Sequence, residues 1–187
     1  SGSASIASLT TQVPVLQSGW TTSTAAASAS LTLTKPTNVE AGDLLLILVG
    51  NDDNTATAQW DDVSIRPTGF SMINEAGNNT PDTHVAAFYR IADGTETATT
   101  SVPAQSADNF WGFYIRVTGA STTNPIGAVR SDYAVNGLTN HPISGVTTVV
   151  DNSLAFYMLA GDGVGTAPFS VSAGWTEAAE ITINTAG

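Results

Sequence analysis

Four short apolar runs constrain the fold of this chain more than any other feature: Leu44 to Val49, Val85 to Ile91, Trp111 to Val117 and Leu154 to Ala160. Each is about the length of a strand, each is closed by turn residues, and none continues into a helical repeat. They read as buried strands of an all-β fold, an antiparallel β-sandwich of jelly-roll-like kind. Leu44 to Val49 is apolar without interruption, which implies burial on both faces and a place at the centre of a sheet.

The segments between these runs are dense in Thr, Ser, Ala, Asn, Asp and Gly, and their turn chemistry predicts the order of elements. Ser18-Gly19 marks a turn in an opening strand pair, and Ser30 to Thr34 alternates so that Leu31 and Leu33 share one face. Lys35-Pro36 ends that strand, and Ala41-Gly42-Asp43 makes a tight entry into the central run. Asn74 to Asp82 reads as a long turn. Asp93-Gly94 reads as a hairpin turn that brings Glu96 to Val102 against the strand ending at Ile91. Pro103 to Asn109 then reads as a loop. In the strand that follows, Trp111, Phe113, Ile115 and Val117 form the expected core face, opposite Phe110, Gly112, Tyr114 and Arg116. Ile126 to Val135, carrying Arg130 and Tyr133, has the mixed polarity of an edge strand. No helix of substantial length is expected. The domain organisation follows: residues 1–30 form an N-terminal arm and opening strand, and residues 31–187 a single β-sandwich domain.

Charge excludes one class of partner. Sixteen acidic residues face one lysine, Lys35, and four arginines, Arg66, Arg90, Arg116 and Arg130, for a net charge of −11. A chain so poor in cations cannot neutralise a phosphate backbone, so no nucleic acid partner is expected. The absence of cysteine removes disulfides, thiolate metal sites and a cysteine nucleophile. No stretch approaches the length of a membrane-spanning helix, and no membrane insertion is expected. The first residues lack the basic and apolar regions of a secretion signal. This fits a mature chain, or one that leaves its cell inside a particle that lyses the host.

Residue type and position suggest three kinds of site. Calcium requires several hard oxygens on neighbouring loops, and Asp52, Asp53, Asp61 and Asp62 are the candidate ligands, although their spacing is not that of an EF-hand. Carbohydrate binding requires exposed aromatic faces with amides nearby, which singles out Trp20, Trp60, Trp175 and Asn78; against this, a Trp beside a strand commonly fills a core. Glycan hydrolysis requires two carboxyls across a cleft. Glu40, Glu75, Glu96, Glu177 and Glu180 lie at strand ends or turns, but their pairing is not visible in sequence. His84 and His141 are the only possible bases for a serine nucleophile, and no G-x-S-x-G elbow is present, so they read as ordinary side chains. No catalytic residues and no required cofactor are expected.

The order of several segments resembles a family of phage and prophage virion proteins found in tail fibres, appendages and surface decorations. The segments are AGDLLLILV at Ala41 to Val49, PTGF at Pro67 to Phe70, VAAFYRIADGTE at Val85 to Glu96 and FWGFYIRVTGA at Phe110 to Ala120. NPIG at Asn124 to Gly127, VDNSLAFYMLA at Val150 to Ala160 and AGWTEAAE at Ala173 to Glu180 complete the series. The resemblance implies a β-sandwich with a structural or adhesive task and supplies no catalytic residues. The family continues past the Gly-Trp-Thr segment with further strands, which implies either a longer chain or a strand shared with a neighbouring subunit. The expectation is a non-enzymatic homo-oligomer of three-fold symmetry on an extracellular virion surface. Its partners would be copies of itself, other virion proteins and a host surface glycan. The alternative is a carbohydrate-binding module or cell-surface adhesin, assisted by calcium.

Overall fold

The apolar run at Leu44 lies in the middle of the sheet in the computed structural model, which describes residues 13–52, 60, 62–79, 82–130, 147–148 and 152–158. Among the described residues six strands form one antiparallel sheet: β1 (Val15–Leu16), β2 (Thr21–Thr34), β3 (Leu44–Asp52), β4 (Ser71–Asn79), β5 (Asp82–Ile91) and β6 (Thr99–Thr118). Their order is β1-β6-β3-β5-β4, with β2 following β1 along the free side of β6. The fold is therefore all-β and antiparallel, as the apolar runs imply. Among the described residues the only helical element is a three-residue 3-10 turn, Val63–Ile65, and no helix is long and apolar enough to cross a membrane.

What turns this sheet into a sandwich is a fold in the long β2–β6 ribbon. A straight strand of β2's length would hold Thr21 about 40 Å from Thr34. Instead the Thr21 hydroxyl donates a hydrogen bond to the Thr34 carbonyl, so the two ends of one strand meet. The bend falls where the pairing register slips, between Ala25 and Ser30 on β2 and between Pro103 and Phe110 on β6. Ala27 has a positive φ of 46°, and Pro103 lacks a ladder donor, so both residues mark a break in regular pairing. The return limb, Ser30 to Thr34 with Thr99 to Pro103, lies over the inner face of β6 and β3. Gly112 records the contact directly: a Cβ there would fall 2.8 Å from Leu31 Cδ2, although Leu31 pairs in register with Val102.

Two apolar clusters result, one on each side of the main sheet. The inner cluster, between sheet and return limb, holds Leu31, Leu33, Leu45, Ile47, Val49, Trp60, Phe88, Val102, Phe110 and Tyr114, all fully buried. The outer cluster holds Leu44, Leu46, Ile115, Val117 and Ala120, with Leu16, Trp20 and Phe113 half-buried beside it. Alternate residues of β3 enter alternate clusters, which is why its sequence is apolar without a break. The same geometry gives β6 two core faces, Ile115 and Val117 of the expected one being buried in the outer cluster. Phe110, Gly112 and Tyr114 are fully enclosed on the inner side, while Trp111 and Phe113 are only half-buried on the outer side.

The entry to β3 is built as its residues suggest. Gly42 takes a φ of 95°, its N–H donates to the Ala92 carbonyl at 2.8 Å, and the Ala92 N–H returns to the Asp43 carbonyl at 2.8 Å. The Asp43 carboxylate then accepts from Arg116 Nε at 2.6 Å, a largely buried ion pair that ties the start of β3 to the end of β6.

Other expectations are corrected by pairing. Asn74 to Asn79 is strand rather than turn, because β4 pairs with β5 from Ser71 onward. Glu96 to Val102 does not form a hairpin with β5: β3 and β4 already occupy both sides of that strand, and the chain crosses to β2 instead. Pro103 to Asn109 is bulged strand within β6 rather than loop. β2 runs through the boundary expected at residue 30, so Thr21 to Ser30 belongs to the sheet. Leu154 to Met158 carries no strand, and Leu154, Phe156 and Tyr157 are exposed. Both sides of β3, β5 and β6 are taken, which leaves this run no place beside them. Ile126 to Arg130 likewise carries no strand, and the remainder of both segments lies outside the described residues.

Candidate functional site

The structure separates the aromatic residues expected to bind sugar. Trp60 is fully buried, edge-on to Phe88 with ring centroids 6.2 Å apart, and its Nε1–H donates to the Pro103 carbonyl at 2.9 Å. It fills the space between sheet and return limb, and an enclosed indole offers no face for stacking on a sugar. Trp20 packs against Phe113 at 5.9 Å on the outer cluster. Asn78 lies on β4, in register with Thr83, and Trp175 lies outside the described residues. These four do not form one surface where the structure describes them.

The expected calcium ligands divide in the same way. Asp52 ends β3, and Asp62 caps the 3-10 turn, its Oδ1 accepting the Ser64 N–H at 2.8 Å. That backbone hydrogen bond, aided by the Ser64 side chain, holds the Asp62 carboxyl below its usual range. Asp53 and Asp61 lie outside the described residues. Among the described residues no three His, Asp or Glu side chains gather as a metal site.

At the buried end of the sheet, His84 and Asn51 pair across β5 and β3. Both side chains turn inward, and His84 is 3% exposed. The imidazole lies across Gly77 of β4, where a Cβ would come within 2.0 Å of His84 Nδ1, so only glycine fits there. Glu75, one of the carboxyls considered for hydrolysis, instead accepts the Trp60 backbone N–H at 3.2 Å and helps close this end of the core.

The described cavity lies at the opposite end, between the main sheet and the return limb, with a volume of about 280 Å³. Tyr114 of β6 forms its inner wall, and Thr99, Thr100 and Ser101 of the return limb face it. Arg90 of β5 lines the side, stacked over Phe70 at 5.8 Å and bound to Asp93 and Glu96 at 3.1 Å each. Glu96 is itself held by the Asp93 and Gly94 N–H groups at 2.8 and 3.1 Å, and Lys35 Nζ donates to its carbonyl at 3.1 Å. Arg90 thus faces two carboxylates, those of Asp93 and Glu96. Six Ser and Thr residues border the space, five of them exposed, and the hydroxyls of Thr95 and Thr97 bond within their own turn, at 2.6 Å to Asp93 Oδ1 and to the Thr99 carbonyl.

Tyr114 is completely buried, yet its hydroxyl has no hydrogen-bond partner among the described residues. Burial pushes its phenol up from the ordinary value. The Thr100 hydroxyl offsets part of the rise without reaching full hydrogen-bond geometry. In the sequence Tyr114 falls opposite the expected core face of its strand, and Arg90 falls within an apolar run. A lone arginine inside a strand of a chain with four arginines was the available signal. No family model, curated protein or solved structure matches this chain.

Proposed function

We propose that the chain is a non-enzymatic structural protein of a phage-like virion surface, a capsid decoration or a tail or fibre component, which assembles as a homo-oligomer and meets the host there. The observation that supports assembly best is the sheet edge. β4 is nine residues long, has β5 on one side, and on the other has no strand among the described residues. An open edge presents a row of main-chain donors and acceptors, and a second copy satisfies them by adding a strand. Half-buried apolar residues of the outer cluster, Ile73 on β4 and Tyr89 on β5, continue the surface next to that edge. The resemblance of the ordered segments to virion β-sandwich proteins supplies the setting. The excess of acids suits copies that must stay soluble in high local number.

Light scattering on the isolated chain tests the assembly. The expected mass is two or more times the single-chain 19.1 kDa. Lysines at Ser71 and Asn74 on β4 should shift it toward the single-chain value, because charge on an edge blocks strand addition. A wild-type chain that is monomeric at every concentration contradicts the proposal. Cryo-electron microscopy of the source particles tests the setting: ordered copies on capsid or tail are expected, and particles lacking the chain refute the virion reading.

A further inference from the structure

We infer that the apolar run beginning at Leu154 is the strand that one copy of this chain adds to the β4 edge of another. The inference rests on the proposed assembly and names the segment that makes its interface.

The run has the sequence of a core strand and the surroundings of a loop. Leu154 to Ala160 reads LAFYMLA, with no charged residue, Pro or Gly. Such a run is apolar on both faces, as β3 is, and suits a place in a sheet that is covered on both sides. Yet Leu154 to Met158 carries no strand, and Leu154, Phe156 and Tyr157 are exposed. Phe156 and Tyr157 are the only aromatic side chains exposed among the described residues, and they are adjacent.

The β4 edge has the complementary need. Proteins blunt a free edge with Lys, Pro, short length or bulges. β4 is nine residues long and holds neither Lys nor Pro. Its one charged side chain, Glu75, is held by the Trp60 backbone N–H at 3.2 Å. Its register shift lies between Met72 and Asn74, so pairing is regular from Asn74 to Asn79. Apolar cover reaches this edge on both sides of the sheet, because Met72 packs against the inner cluster and Ile73 against the outer one. In a strand beside β4, Leu154, Phe156 and Met158 extend one of these clusters, and Ala155 and Tyr157 the other.

The remaining free sides suit an added strand less well. β2 is interrupted by register shifts on both sides of Ser28 and by Ala27 at positive φ, and the Thr99 to Pro103 limb of β6 is short and ends on proline. Each copy carries one run and one β4 edge, so the contact is head-to-tail and either closes into a ring or continues as a filament.

The test is cross-linking of the full chain, which has no cysteine of its own. Ala76→Cys on the regular part of β4 and Ala155→Cys in the run are combined in one variant and treated with a short bismaleimide. Dimers and larger species on a denaturing gel are expected, and neither single-cysteine variant should give them. Phe156→Pro removes a ladder donor and an aromatic anchor from the run; it should leave the circular dichroism of the chain unchanged and weaken association in light scattering by about tenfold or more. A one-chain product with the linker joining its own two cysteines overturns the inference, because the run then closes its own edge. Dimers from Ala76→Cys alone overturn it as well, since β4 then pairs with β4. So does an oligomer that gives no cross-link, or one that Phe156→Pro leaves intact: if lysines on β4 still dissociate that oligomer, the assembly stands and only this strand is refuted. A monomeric wild type refutes both.

Discussion

Gly112→Ala should destabilise the protein through a single collision between two limbs of the same ribbon. An added Cβ meets Leu31 Cδ2 at 2.8 Å and the Leu48 carbonyl oxygen at 3.0 Å, both inside normal contact. Leu31 is fully buried, so its methyl has no open space to move into, and the Leu48 oxygen belongs to the sheet backbone. Overpacking of this kind costs about 1–3 kcal/mol. Leu31→Ala alone removes buried methyl groups at a cost of about 2–5 kcal/mol. Combining the two places the new methyl in the space that leucine vacates, so the double variant should be more stable than the sum of the single effects predicts, by about 0.5–3 kcal/mol. Urea denaturation with linear extrapolation measures all four corners of this cycle. Leu31 pairs with Val102, ten residues from Gly112, which in a straight ribbon is about 33 Å away. Effects that add to within about 0.5 kcal/mol would mean that the residues do not touch, and would refute the folded ribbon.

Four further outcomes are expected. Arg116→Met leaves the Asp43 carboxylate enclosed without its cation and should cost about 3–5 kcal/mol in denaturant unfolding, whereas replacing both partners by apolar residues recovers most of the loss. Trp60→Ala should cost about 3–5 kcal/mol, as expected of an indole buried in the core, and a sugar-binding surface residue would show almost no loss. The folded state holds the Tyr114 phenol neutral above the pH of about 10 at which an unfolded tyrosine ionises. Its contribution is full below that pH and lost as pH rises through the folded value, so alkaline unfolding should be steeper for wild type than for Tyr114→Phe. The Asp93 carboxyl is held below its usual range, first by the Thr95 hydroxyl and then by the Thr95 N–H. Its contribution is present above the unfolded value of about 3.9 and lost as pH falls through the folded one, so Asp93→Asn should flatten the acid limb of the stability profile.

The parts of the fold that were legible in sequence are those written in local pattern. Continuous apolarity marked β3, alternation placed Leu31 and Leu33 together, and Gly42 announced a turn that needs positive φ. The fold in the ribbon was not legible, because a period of two tells which residues share a face but not whether the strand bends. Ala27, at its corner, carries no turn signal, and the Pro103 to Asn109 segment read as a loop because bulged and looped backbone draw on the same residues. The fold also explains the second core face of β6: Tyr114, opposite the expected core face, is enclosed because the return limb covers it. The cavity was invisible for the same reason: Tyr114 and Thr100 are fourteen positions apart along one strand and meet only because that strand doubles back.

The folded ribbon encloses both the inner core and the cavity, and one distance tests it most directly. The chain has no cysteine, so spin labels can be placed cleanly at Thr22→Cys and Thr34→Cys, two exposed positions of β2. Double electron–electron resonance should report a narrow distribution far shorter than the about 40 Å that twelve residues of straight strand span. A distribution centred near that straight-strand length would contradict the folded ribbon, and with it the core and the site it encloses.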